Sequence, residues 1–226
     1  MIDILTSTPL FSLTLSCAAW CAGVWVQKKT GRVLCNPLVI ATALVIAVLM
    51  LLQIPYSTYR LGGDIISMML GPVTAVLALN IYNQRQLLGK YFLPVVAGCL
   101  AGSLTSVVSI SLLCKLLSVD SVITSSLLPK SVTTAIALAI SESRNGIAGV
   151  TSAAVIVAGV TGAMFAPWFA KLFRIKNPVA EGVAIGTCSH ALGTSKAMEI
   201  GQLQGAISSI AICVCGIITS VLMLFF

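Results

Sequence analysis

Lys130 and His190 are the residues of this chain whose type and setting could do chemistry, because each lies mid-way along an apolar segment long enough to enter a bilayer. Lys130 is central between Asp120 and Glu142, and His190 is central between Glu181 and Glu199, with small or apolar residues filling the intervals. An ionisable group at that depth costs about 2.5–3.5 kcal/mol on insertion scales. It persists there only where it meets a ligand, a partner group or water. Lys130 follows Pro129 and precedes Ser131-Val132-Thr133-Thr134. Proline suits the first turn of a helix and donates no backbone N–H, so the run reads as the opening of a half-helix whose free N–H groups attract anions. With the ammonium of Lys130 and the hydroxyls of Ser131, Thr133 and Thr134, such an opening could replace the hydration shell of a small carboxylate. The competing reading is structural: Lys130 pairs with a carboxylate or with carbonyls and only fixes the bend.

The second block, Gly186-Thr187-Cys188-Ser189-His190-Ala191-Leu192-Gly193-Thr194-Ser195-Lys196, reads as a bent polar loop, since Gly186 and Gly193 permit sharp turns and close approach. His190 is the only histidine of the chain. It could donate to a carboxylate or carry a coupled proton, and equally it could be a satisfied hydrogen-bonding residue. The expected substrate-binding set is therefore Pro129, Lys130, Ser131, Thr133, Thr134, Thr187, Ser189, His190, Gly193 and Thr194. Lys196 and Glu199 have the spacing of a simple helical pair. Gly71-Pro72 reads as a packing kink or a further wall of the cavity.

The elements that must position these groups follow from composition. Of the 226 residues, 58% are hydrophobic and 8% charged, too little polar surface for a soluble domain of this size. Apolar runs of membrane-spanning length predict an all-α membrane protein rather than a barrel. One integral membrane domain, 1–226, is expected. Spans are expected at about 7–27, 36–54, 64–83, 91–114, 147–172 and 203–226, with two broken segments at about 121–142 and 178–200. If both broken segments crossed fully, Lys171, Arg174 and Lys176 would fall opposite Lys28, Lys29 and Arg32 and opposite Arg85 and Lys90, against the positive-inside rule. Six crossings plus two re-entrant hairpins, with both termini outside, remove the conflict. Lys28, Lys29 and Arg32 after the first apolar run also read as a retained first helix, not a cleaved leader.

Val73-Thr74-Ala75-Val76-Leu77-Ala78-Leu79-Asn80-Ile81 echoes Val132-Thr133-Thr134-Ala135-Ile136-Ala137-Leu138-Ala139-Ile140. The later helices share small residues around Gly98, Gly159 and Gly216. Hairpin plus helix would make 121–175 and 178–226 an inverted pair meeting near the midplane. The net charge of +7 sits in short loops, where membrane orientation accounts for it without nucleic acid. The eight cysteines show no CxxC pair and no matched His spacing, so they read as small packing residues rather than metal ligands. No nucleotide-binding loop, nucleophile elbow or paired catalytic carboxylates occur, so neither an enzyme nor a cofactor is expected.

Asn36-Pro37-Leu38, Gly71-Pro72, the run Ser126 to Thr134 and the run Gly186 to Thr194 together resemble the LrgB/CidB family over nearly the whole chain. Ala135 stands where that family usually has Pro, Cys188 where it has Ala, and Ser195-Lys196 where it has Ala-Arg. The resemblance implies a multi-pass protein of the bacterial inner membrane, antiholin-like or an effector of murein hydrolases, often working with a small LrgA/CidA-like membrane partner. It also implies movement of small monocarboxylates such as pyruvate, and of glycolate and glycerate in plant relatives. The expectation is thus a secondary carrier of small monocarboxylates, in contact with membrane lipid and dimeric. The alternative is a holin-like or antiholin-like modulator of wall hydrolases and autolysis.

Overall fold

A computed structural model describes residues 8–30 and 37–226, with the side chains at 70, 73, 74, 77, 78, 80 and 81 outside that description. Arg32, Cys35 and Asn36, and most side chains of the first copy of the repeat, therefore lie outside the described residues. Every regular element described is a helix. Two compact units result, Met1–Val73 and Thr74–Phe226.

In the first unit, α1 (Pro9–Thr30) packs on α2 (Pro37–Leu51) and on α3 (Tyr56–Ser67). Small residues allow it. A Cβ on Gly23 would lie 2.6 Å from the Pro37 carbonyl oxygen, and Gly62 sits directly on Ser12 and the Pro9 backbone. Ser16 Oγ and Tyr59 Oη share a hydrogen bond of 2.8 Å. Between lipid-exposed helices there is no hydrophobic gain to drive association, so close backbone approach and such bonds supply the cohesion. Lys29 lies over the Trp25 ring at 5.0 Å, as befits a helix end at the headgroups. The expected span 64–83 is interrupted: α3 stops at Ser67, and α4 (Leu70–Asn83) restarts with Pro72 in its first turn. Gly71-Pro72 therefore marks a helix start rather than a kink within one span.

The second unit holds α4 from Thr74 on, α5 (Arg85–Lys90), α6 (Phe92–Leu116), α7 (Ser121–Leu127), α8 (Thr134–Ser143), α9 (Ala148–Leu172), α10 (Pro178–Ile200) and α11 (Gln202–Leu222). With α1, the helices α6, α9 and α11 are long and apolar enough to cross a membrane. Asp120 caps α7 by accepting the Val122 N–H at 2.9 Å, and Asn177 caps α10 by accepting that of Val179 at 2.8 Å, with Pro178 in the first turn. Capped starts with charged or polar residues put these two helix ends at the membrane edge.

Both broken segments turn back on themselves. Ser126 Oγ accepts the Ile147 N–H at 2.7 Å, and the Thr151 hydroxyl donates to Ser141 Oγ at 2.6 Å. The last turns of α7 and of α8 therefore both lie beside the first turn of α9, while Val132 and Ala137, in the chain between them, pack on Val155 further along it. At the other end, Gln204 Nε2 donates to Glu181 at 3.2 Å and Gly205 sits against Met198, so both ends of α10 meet the start of α11. Residues 186 and 194 both reach Ser208. The turn between them is at His190, whose φ of 40° and ψ of −136° break the helix.

Arg144 Nη1 donates to the Met223 carbonyl at 2.8 Å, which places the end of α11 beside the mouth of the first hairpin. Tyr91 and Asn177 line one groove, so the start of α6 lies beside the mouth of the second hairpin. The unit is thus three alternating crossings with hairpins inserted from opposite ends. Within it, Arg85 and Lys90 share an end with Lys171, Arg174 and Lys176, as the charge pattern requires. Residues 121–175 and 178–226 each form a hairpin followed by a crossing helix, the order of elements that an inverted pair would have.

A side chain at Gly186 would drive into the Ser208 carbonyl and the Ala211 methyl group. Gly186→Val should lower stability by about 1–3 kcal/mol through overpacking, read as a lower melting midpoint in detergent. Gly149→Ala, with nothing near its Cβ position, should leave the midpoint level or raised. Equal midpoints for both variants would contradict the hairpin packing.

Candidate functional site

The first hairpin breaks between Leu127 and Thr134, held by single-turn bonds from Lys130 N–H to the Leu127 carbonyl (3.2 Å) and from Val132 N–H to the Pro129 carbonyl (3.3 Å). Pro129 is fully buried, and Leu128 packs with Val107, Ile140 and Met223. The break is thereby anchored on both sides by carbon. Lys130 is half-buried, and its Nζ donates to Ser131 Oγ at 3.3 Å. Ser131 shares a 2.8 Å hydrogen bond with Ser106 of α6. Thr133 is the N-cap residue of α8 in extended conformation, and its hydroxyl is buried without a hydrogen-bond partner. Thr134 is the first helical residue. The half-helix expected to open at Ser131 starts instead at Thr134, with three residues between Pro129 and the N-cap Thr133, so Pro129 stands outside its first turn.

The second hairpin breaks at one residue. The His190 ring donates from Nε2 to the Val155 carbonyl of α9 at 2.9 Å, which fixes Nε2 as the protonated nitrogen. Gly159 allows the ring to lie flat on α9, since a Cβ there would sit 2.5 Å from His190 Cε1. Ser189 likewise fills the space over Gly162. Gly193 is required for the return: its missing Cβ position is occupied by Ser189, so the returning arm lies directly on the outgoing one. Thr187 donates to the Val183 carbonyl at 2.6 Å and approaches Cys99 Sγ at 3.8 Å. Thr194 bonds the His190 carbonyl at 3.0 Å and Ser208 Oγ at 2.6 Å.

The two tips converge. His190 reaches Val155, and Val155 also packs against Val132 of the first hairpin. Ser106 under the first tip and Gly102 under Thr187 are one turn of α6 apart, about 6 Å. All ten expected residues therefore belong to the two facing elbows, but their states differ. Thr187, His190 and Thr194 have protein partners, so the polar groups of the second tip fix its own fold. At the first tip, neither ion pair among the described residues, Arg60–Asp64 and Lys196–Glu199, includes Lys130. A carboxylate partner for Lys130 is absent among the described residues, which removes the pairing part of the structural reading. Two half-helices, 134–143 and 191–200, also start at the tips and aim N–H groups inward.

Ser106 and Val155 belong to this centre and carry no signal in the sequence. Ser106 is one of many small residues in an apolar helix, and Val155 contributes only its carbonyl. Lys196 pairs with Glu199 at 2.7 Å, as its spacing indicated. Cys99, Cys114, Cys213 and Cys215 are buried among packed helices, and Cys17, Cys21 and Cys188 are exposed.

The description of the LrgB-like family matches residues 16–226. A Bacillus subtilis (strain 168) protein named antiholin-like protein LrgB is 40% identical over 215 residues, covering 95% of this chain and 93% of the relative. Proteins of the same name from Bacillus mycoides (strain KBAB4) and Bacillus cereus (strain B4264) are each 38% identical over 217 residues, covering 96% of this chain and 94% of theirs. No solved structure matches the chain.

The Thr194–Ser208 bond is the tie between the returning arm and α11. Thr194→Val and Ser208→Ala should each cost about 0.6–2 kcal/mol, the range for hydrogen bonds between membrane helices. The double variant should cost clearly less than the sum. Detergent melting of the four proteins checks this, and strict additivity would show that the bond contributes nothing.

Proposed function

The chain belongs to the LrgB-like family, and on that premise we propose that it acts as an antiholin-like protein of the cytoplasmic membrane through a site that takes up and passes small monocarboxylates. The two parts have separate support. The antiholin-like role, influence on murein hydrolases and autolysis, is supported by the name that the relatives carry. The carboxylate site is supported by one observation above others: Lys130 is held at the meeting point of two re-entrant tips with only a serine hydroxyl on its ammonium. The buried, unpartnered Thr133 hydroxyl and the open N-terminus of α8 add neutral donors beside it.

A monocarboxylate matches that donor set in charge and in number of acceptors. One ammonium compensates one negative charge, and the carboxylate oxygens can take hydroxyl and backbone N–H groups together. Arg85, Lys90, Lys171, Arg174 and Lys176 at one end of the unit raise the local concentration of anions at the mouth of the second hairpin. Partner proteins enter in the same sense: an LrgA/CidA-like subunit, or a second copy, would pack on the exposed apolar faces of α6 and α9.

Uptake of pyruvate, lactate and glycolate into proteoliposomes tests the site. Lys130→Met should reduce uptake about 10- to 100-fold, the equivalent of losing a hydrogen bond to a charged group, and Lys130→Arg should restore part of it. If uptake equals that of empty liposomes while expression of the protein still alters hydrolase-driven lysis, and Lys130→Met does not change that lysis, the antiholin-like role acts without carboxylate passage.

A further inference from the structure

Beside the outgoing arm of the second hairpin runs a groove of about 430 Å³ that starts at Tyr91 and Asn177 and ends at Thr187 and Cys188. Eleven residues of α10 separate its ends, about 16 Å at the helical rise. Its walls are carbon: Gly98 and Gly102 on α6 face Val183 and Ala184 on α10. Thr187 does not change this, because its hydroxyl donates back to the Val183 carbonyl and its methyl group lies on Gly102. The inner end is different. Gly102 is one turn of α6 from Ser106, whose hydroxyl bonds Ser131, the neighbour of Lys130.

An apolar slot whose inner end lies one helical turn from the tip that carries Lys130, a cation without a carboxylate partner among the described residues, and whose mouth adjoins basic residues has the polarity of an amphiphile with a single negative head. We propose that the groove is a tail subsite, and that the preferred ligand of the Lys130 centre is an aliphatic monocarboxylate of up to about twelve carbons, its carboxylate on Lys130 and its alkyl chain between α6 and α10. This rests on the carboxylate reading of the Lys130 centre and extends it to longer, unhydroxylated chains, which the groove favours over the short hydroxy acids. Hydroxylated acids gain nothing from walls that offer no hydrogen bonds, whereas each buried methylene contributes about four-fold in affinity relative to water. Length is limited by the groove, since a chain beyond its mouth returns to headgroup and solvent.

Cys188 reports occupancy directly. In a variant keeping Cys188 with Cys17, Cys21 and Cys35 changed to Ser, the rate of alkylation by iodoacetamide is measured with acetate, butanoate, hexanoate, octanoate and decanoate, with lactate and glycolate, and with 1-alkanols of equal length. Protection should rise about four-fold per methylene throughout the series to decanoate. It should be absent with the alkanols and lost in Lys130→Met, shown to be folded by an unchanged melting midpoint. Ala184→Trp, which fills the groove, should abolish the length dependence while acetate and lactate still protect. Equal protection by alkanols would make the groove a slot for lipid chains and overturn the proposal. Protection by lactate and glycolate without gain on lengthening would overturn it and leave the carboxylate centre standing. If no carboxylate protects and none is taken up, the centre itself falls. A Cys188 that resists alkylation in the ligand-free protein shows a closed groove and also overturns the tail subsite.

Discussion

Backbone that is not helical, placed within a hydrocarbon layer, must find its hydrogen bonds in the protein, and everything distinctive about this fold follows from meeting that requirement twice at one level. The His190 break is tolerated because the ring bonds the Val155 carbonyl and Thr194 bonds the His190 carbonyl. The Leu127–Thr134 break is tolerated because short turn bonds and Ser106 hold it, with Pro129 removing one donor outright. Both breaks lean on α9 around Val155. Neither could sit against lipid, so each hairpin must be enclosed by α6, α9 and α11. That enclosure explains why small residues are spent on contacts between hairpins and crossing helices.

The architecture was legible in the sequence where charge interrupted apolar text. Asp120, Lys130 and Glu142, like Glu181, His190 and Glu199, mark two mouths and a tip, and the basic loops decided that both segments re-enter. The structure agrees because the same cost that makes a mid-membrane charge rare also makes it informative. Where the text is uniformly apolar the reading lost resolution. The 64–83 segment offers enough hydrophobic length for one span, and Gly71-Pro72 inside it, which reads as a kink or a cavity wall, marks instead a fresh helix start after the stop at Ser67.

The site was legible by residue type and not by state. Thr187, His190 and Thr194 were correctly placed at the second tip, yet the sequence cannot show that their partners are Val183, Val155 and Ser208. Backbone carbonyls have no side-chain signature, and Ser208 is one serine among many in α11. The choice between a histidine that carries a proton and one that fastens a bend therefore had to wait for geometry. An imidazole donating to a carbonyl of a crossing helix, with its own backbone at φ 40°, acts first as the fastener of a strained turn.

This leaves an asymmetry between the elbows that bears on how passage could work. The second tip is satisfied internally and has little to gain from a solute; the first is not. Insertion of Lys130 without a carboxylate costs about 2.5–3.5 kcal/mol, and an anion that arrives recovers part of that cost as binding energy. A fixed Asp or Glu would recover it permanently and close the site, so the missing partner is what keeps the centre available. The affinity is bounded by the same quantity, because a carrier must release what it binds. A single cation assisted by neutral hydroxyls and N–H groups supplies attraction of that moderate size, whereas a second buried cation would raise both the cost of folding and the depth of the trap. A single lysine therefore suits the passage of monoanions proposed for this site.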